Sequence, residues 1–257
     1  MVAGHPNRYF LELAYDGKPY HGWQIQQNAL SVQALLHKAL ETIFRFPVDT
    51  VGCGRTDTGV HARQLYAHID LPTAIADPEK LLHQLNSLLP PSIAIREIYA
   101  VPADAHARFD AVRRSYEYHV HFGKDPFKEG FSWQLRERPD WEKMNESAKI
   151  LLGYRDFSCF SKSNTQVFTN NCTIFEAYWE PTETGLVFHI SADRFLRNMV
   201  RAIVGTLLEV GYGKLQPEDM HKVIASKDRS VAGASVPAHG LYLTKVIYPD
   251  TILSIKP

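Results

Sequence analysis

The segment Gly52-Cys53-Gly54-Arg55-Thr56-Asp57-Thr58-Gly59-Val60-His61-Ala62 concentrates the groups best able to do chemistry in this 257-residue chain. Its three glycines flank one Arg and one Asp, and glycine lets a backbone take positive φ angles and approach another molecule closely. Arg55 and Asp57 stand two apart and can pair, which would keep the carboxylate ionised by lowering its pKa. A loop carried on rigid strands is where catalytic groups are commonly mounted. Taken alone, the segment equally describes a Gly-rich turn with a surface ion pair. It is not a P-loop, because no Gly-Lys-Ser/Thr follows and no parallel βαβ unit surrounds it.

Two basic features add to it. The periodicity predicts a long helix from Arg194, with Leu196, Met199, Val200, Ile203, Val204, Leu207 and Leu208 on its apolar face. At roughly 100° per residue, Arg194, Arg197 and Arg201 then share one flank and could bind phosphate. The same charges also read as a solvated face. Arg201, between Val200 and Ala202 near the core edge, needs an anionic partner. The run Arg113-Arg114-Ser115-Tyr116-Glu117-Tyr118 couples cations to strand aromatics, which can stack on bases while Arg holds phosphates. Cross-strand packing of the tyrosines is the alternative. The 12 histidines form no HExxH, no Cys/His cluster has metal-ligand spacing, and no GxSxG marks a hydrolase. No metal site is expected.

These residues need elements to carry them. Tyr9, Leu11, Leu13 and Tyr15 alternate as a strand that turns at Asp16-Gly17. Ser31 caps a helix through Val32, Leu35, Leu36, Ala39, Leu40, Ile43 and Phe44, which Pro47 ends. Strands follow at about Val48–Cys53 and Leu65–Leu71, then a helix from Asp77-Pro78-Glu79 to about Leu89 and a strand over Ile93–Val101. The second half repeats this order, with a strand at Tyr116–Phe122 and an Asp140-capped helix closed by Gly153. Strands near Thr173–Glu180 and Leu186–Ala192, the Arg194 helix, a short helix after Pro217 and a strand over Leu241–Ile247 complete it. The expected class is α+β: two tandem ferredoxin-like (β-α-β-β-α-β) halves, mainly antiparallel, with an active-site cleft between them. The expected division is 1–105 and 106–257, since Pro102-Ala103-Asp104-Ala105 interrupts the pattern.

Composition bounds the partners. Lys+Arg 28 balances Asp+Glu 28, and hydrophobic residues make up 45%, the profile of a folded protein. No apolar run reaches the roughly 18 residues of a membrane span, and no secretory h-region opens the chain. Three widely spaced cysteines, Cys53, Cys159 and Cys172, argue against a disulfide framework and fit a reducing cytosol. Zero net charge at first disfavours a nucleic-acid partner.

Six ordered blocks change that reading. Gly52–Ala62 resembles the G-x-G-R-T-D-x-G-V-H-A signature of the tRNA pseudouridine synthase A family. Tyr15–Asn28 with Ser31-Val32-Gln33 resembles its opening block, and Arg114–Tyr118 its R/K-x-Y-x-Y strand. Gly153–Phe160 is similar to its G-x-x-D-F-x-x-F block, Phe195–Gly205 to its helix, and Pro237–Tyr248 to its closing strand. Cys53, Arg155 and Lys18-Pro19 depart from the common family residues, which bears on substrate breadth.

The resemblance implies isomerisation of uridine to pseudouridine in the anticodon stem-loop of tRNA, at positions 38 to 40, without metal or organic cofactor. It implies a cytoplasmic homodimer with the tRNA spanning both subunits. It makes Asp57 the catalytic aspartate, Arg55 its neighbour, Tyr116 the aromatic on the target base and Arg201 the aspartate's partner across the cleft. Arg113, Arg114, Arg194 and Arg197 become candidate phosphate contacts. Attack of Asp57 on C1′, attack on C6, and removal of the C2′ proton all fit the sequence. So do a base role and a stacking role for Tyr116. A non-catalytic tRNA-binding protein and an Asp-dependent nucleoside hydrolase are the competing readings. Neutrality is then compatible with a basic cleft, provided that Arg108, Arg113, Arg114, Arg194, Arg197 and Arg201 gather while Glu176, Glu180 and Glu183 lie elsewhere.

Overall fold

Alternation in the first nine described residues shows how this chain builds its sheets. A computed structural model describes residues 7–162 and 169–253. Strand β1 (Asn7–Tyr15) buries Tyr9, Leu11, Leu13 and Tyr15, and it also buries Phe10 on its other face. The described residues divide into two compact units, 1–112 with 243–257, and 113–242. Both are mixed α+β, and strand pairing is mostly antiparallel.

In the first unit, β1 lies between β3 (His61–Leu71) and β4 (Ile93–Val101), and β2 (Thr50–Gly52) adds to β3. The strand order is therefore β4-β1-β3-β2. Helix α1 (Val32–Phe44) begins at Ser31, whose side chain accepts from the Ala34 N–H, and it buries Val32, Leu36, Ala39 and Leu40. It ends before Pro47, because Arg45 turns left-handed (φ 65°) and donates its N–H to the Glu41 carbonyl. Helix α2 (Pro78–Leu88) starts at Asp77 as the sequence predicts, packs on β4 and buries Leu81 and Leu85. The other face of β1 is aromatic: Phe10 meets Tyr248 edge-on at 5.2 Å, and Tyr66 meets Tyr248 at 5.2 Å.

That aromatic contact explains why the units differ from a division at 105/106. The last strand, β9 (Leu241–Ile247), carries the chain back to the first unit, and the unit boundary falls inside it. Val112 donates to the Ile247 carbonyl at 2.8 Å, and Val246 donates to Gln64 Oε1 at 2.9 Å. Residues 106–112 belong to the first unit as well, held by Ala107 N–H on His68 Nδ1 at 3.1 Å.

In the second unit, β8 (Gly185–Ala192) pairs with both β5 (Arg113–Phe122) and β7 (Ile174–Pro181). A three-residue strand, β6 (Trp133–Leu135), pairs parallel to β5 and was not expected. Helix α3 (Trp141–Ile150), capped by Asp140, continues as a 3-10 turn to Gly153. It packs on β7 and on α4 (Met199–Gly211), which is buried along most of its length. Asn145 clamps β7, accepting from the Trp179 N–H at 2.6 Å and donating to the Trp179 carbonyl at 2.9 Å. Helix α5 (Asp219–Ser226) follows, and α6 (Asp250–Leu253) ends the described chain.

Candidate active site

Thr56 and its neighbours place Asp57. The loop between β2 and β3 leaves Arg55 and Thr58 exposed and Thr56 and Asp57 half-buried, while Cys53 and Val60 are buried at its feet. Cys53 extends the strand pairing by donating to the Tyr66 carbonyl at 2.7 Å. Of the three glycines in the motif, only Gly59 has a positive φ, 78°. Val60 donates to the Asp57 carbonyl at 3.1 Å, closing a tight turn on the far side of the carboxylate.

A second segment, running on from β1, braces this loop. The Thr56 hydroxyl is 2.8 Å from the Tyr15 hydroxyl and accepts the Trp23 N–H at 3.1 Å. Gly59 donates to the Tyr20 carbonyl at 3.2 Å. Gly17 donates to His61 Nδ1 at 3.1 Å, and Asp16 Oδ1 lies 3.2 Å from the same nitrogen. Gly22 (φ 85°) passes so close to the loop that a Cβ there would sit 2.2 Å from the Thr56 carbonyl oxygen. Trp23 and Tyr20, both buried, fill the space behind it. These residues lay in a block that the resemblance marked, but the sequence assigned none of them a task.

Deeper in the same unit, the Glu12 carboxylate accepts from the Tyr66 hydroxyl at 2.9 Å, the Tyr99 hydroxyl at 3.1 Å and Gln64 Nε2 at 3.1 Å. Burial and the Glu12 charge push the Tyr99 phenol up to about 12, and Tyr66 higher still. Both phenols stay protonated at neutral pH and serve as donors to Glu12.

Tyr116, on β5 of the second unit, is half-buried and meets the Phe195 ring edge-on, centroids 5.1 Å apart. The expected arginine helix is corrected here. Residues 194–198 are not helical, and α4 begins only at Met199. The cause is Asp193, whose Oδ1 accepts the N–H groups of Arg194 at 2.7 Å and of Thr173 at 2.8 Å, which fixes a turn. Asn198 then takes a left-handed conformation (φ 67°) that a continuous helix forbids. Of the three arginines only Arg201 is helical, and its Nε donates to the Val236 carbonyl at 2.7 Å. Arg197 is exposed, and Arg194 is half-buried.

The turn gathers other cations. Arg114 Nη1 donates to the Asp193 carbonyl at 2.7 Å, and the Arg113 guanidinium lies 4.4 Å from the Phe175 ring centroid. Arg155 donates to the Thr173 hydroxyl and lines an open pocket of about 380 Å³ with Asn171, Cys172, Thr173 and Asp193. Burial pushes the Cys172 thiol up to about 12, so it is a neutral wall of this pocket and not a nucleophile. The sequence marks Arg155 only as a departure from the family residues and gives Asp193 no role, since only the return of β8 towards β7 brings them together. Among the described residues, no group of three or more His, Cys, Asp or Glu is placed to hold a metal ion. No helix among them is long and apolar enough to cross a membrane.

Comparison with known proteins bears directly on these elements. The family model described as tRNA pseudouridine synthase matches residues 13–110 and 147–249, a span that holds Asp57, the bracing segment from Gly17 to Trp23, and Arg201. The tRNA pseudouridine synthase A of Porphyromonas gingivalis is 54% identical over 248 residues, covering 95% of this chain and 98% of that protein. The protein of the same name from Parabacteroides distasonis is 50% identical, covering 97% and 99%. That from Bacillus subtilis is 40% identical, covering 93% and 98%. Identity at this level over both units shows that the chain belongs to the tRNA pseudouridine synthase family.

Proposed function

We propose that this chain isomerises uridines at positions 38 to 40 of the tRNA anticodon stem-loop, with Asp57 as the catalytic carboxylate. Family membership makes it an isomerase that converts uridine to pseudouridine in tRNA. The observation that carries the assignment to Asp57 is the bracing of its loop from both sides by residues 15–23. A surface turn with no task has no use for such rigidity, whereas a reacting carboxylate does.

The reaction breaks the C1′–N1 bond and joins C1′ to C5, and the proton at C5 leaves to solvent. A carboxylate beside an electron-deficient sugar serves that cleavage, as in glycoside chemistry. In this reading Tyr116 stacks on the target base, while Arg55 and Arg201 hold the substrate beside Asp57. Arg113, Arg114, Arg194 and Arg197 contact phosphates, offsetting the few kcal/mol needed to flip a stem uridine. The β4-β1-β3-β2 order of the first unit and the β5-β8-β7 order of the second support a tandem ferredoxin-like plan. A cytoplasmic homodimer working without a cofactor completes the proposal.

The test uses tRNA whose anticodon-arm uridines carry tritium at C5. The native protein should release tritium, and Asp57→Asn should bind tRNA without releasing it. Binding without release by the native protein would mean a tRNA-binding protein, and free uracil would mean a hydrolase.

A further inference from the structure

The residue before Asp57 is held more firmly than a loop residue needs to be. Thr56 makes two hydrogen bonds through one hydroxyl, one with the Tyr15 hydroxyl at 2.8 Å and one accepted from the Trp23 N–H at 3.1 Å. Its carbonyl is pressed against Gly22, with no room for even a methyl group between them. On the other side, the Asp57 carbonyl is held by the Val60 N–H. Both peptide groups that flank the Asp57 Cα are therefore fixed, which sets where its side chain leaves the backbone.

We propose that Thr56 is a positioning residue, its hydroxyl anchored by Tyr15 and by the Trp23 amide so as to aim the Asp57 carboxylate. The inference rests on the reading of Asp57 as the catalytic group.

The chemistry of the three partners supports the role. Valine has the shape of threonine and would satisfy packing at this half-buried site, but it could not accept from Trp23. Phenylalanine would fill the buried Tyr15 site equally well without reaching the Thr56 hydroxyl. Tyr15 itself is set by an irregularity in the β1–β3 pairing. Leu13 pairs with Leu65, but Tyr15 pairs with Ala62, so β3 carries an extra residue here. Such bulges re-aim side chains next to sites. The interaction bridges 41 residues of sequence and joins the end of β1 to the loop between β2 and β3.

The experiment compares Thr56→Val, Thr56→Ser and Tyr15→Phe with the native enzyme in tritium release, tRNA dissociation constant and melting temperature. A carboxylate misplaced by about 1 Å loses about 10²-fold in rate. Thr56→Val should therefore lower kcat about 10²-fold with KM and tRNA affinity within about threefold of native. Thr56→Ser keeps the hydroxyl and should restore kcat to within about threefold. Tyr15→Phe removes one of the two anchors and should fall between them.

If Thr56→Val lowers the melting temperature steeply, Tyr15→Phe decides: a kcat loss at unchanged melting temperature upholds the role. Full turnover by Thr56→Val, or equal losses in the Ser and Val variants, overturns it. Activity in Asp57→Asn would instead overturn the reading of Asp57 on which the inference stands, a result distinguishable from the other two.

Discussion

Gly205→Ala is the sharpest test of how α4 holds Arg201. In an exposed helix interior this change stabilises by about 1 kcal/mol, because alanine is the better helix former. Here the sign should reverse. A Cβ at Gly205 would lie 1.8 Å from the Ala234 carbonyl oxygen, and one at the neighbouring Gly233 would lie 2.7 Å from the Thr206 nitrogen. To reach even a tight contact of 3.0–3.4 Å, the segment must retreat by about 1.2–1.6 Å. That retreat would break the buried bond from the Gly233 N–H to Thr206 Oγ1, 2.9 Å long, and stretch that from Arg201 Nε to the Val236 carbonyl. A buried donor left unpaired costs about 1–3 kcal/mol and a charge-assisted bond about 1.5–3 kcal/mol. After the propensity gain, the net loss should be about 2–4 kcal/mol, or roughly 5–15 °C in Tm for a domain of this size. Calorimetry of the variant measures it, with Gly153→Ala as control, since nothing lies within 4 Å of a Cβ there. Tritium release should fall as well, because the Arg201 side chain loses its anchor. An unchanged or higher Tm in Gly205→Ala would refute the reasoning.

Two further outcomes follow from the same physics. Burial, then the nearby Arg8 charge, lowers the His68 pKa to about 4, and His68 Nδ1 accepts the Ala107 N–H in its neutral form. The unfolded chain takes up this proton below about 6.5 and the folded chain only below about 4, so stability falls as pH drops through that window. Urea melts at pH 7.5, 5.5 and 4.5 should show a loss of up to about 3 kcal/mol from this group, and a shallower pH dependence in His68→Gln. Separately, Arg113→Ala or Arg114→Ala should weaken tRNA binding alike for different tRNA sequences. Each should flatten the slope of log Kobs against log[salt] by about 0.7–0.9; an unchanged slope would remove that residue from the phosphate contacts.

Local signals were readable without a fold. The caps at Ser31, Asp77 and Asp140 rest on side chains that reach backbone three residues away, and all three helices begin there. The strand over Ile93–Val101 was legible from alternation bounded by Pro90-Pro91. The arginine helix failed for the opposite reason. Its apolar spacing is perfect through Leu196, but Asp193 gives the backbone N–H groups of Thr173 and Arg194 a competing partner, and one of these lies 20 residues upstream. Neither β6, whose partner strand lies across a loop, nor the return of β9 to the first unit leaves any periodic trace.

Residue types and their spacing determined which groups can do the chemistry: one Asp in a Gly-rich loop, an aromatic strand and a set of arginines. Motif resemblance added the family. Only the tertiary structure decided what aims that Asp, because the bracing of Thr56 by Tyr15 and Trp23 joins segments 41 and 33 residues apart. Hydrogen bonds of that span depend on how the strands pair, and the pairing register is set by the packing of the whole sheet, not by any short stretch of sequence.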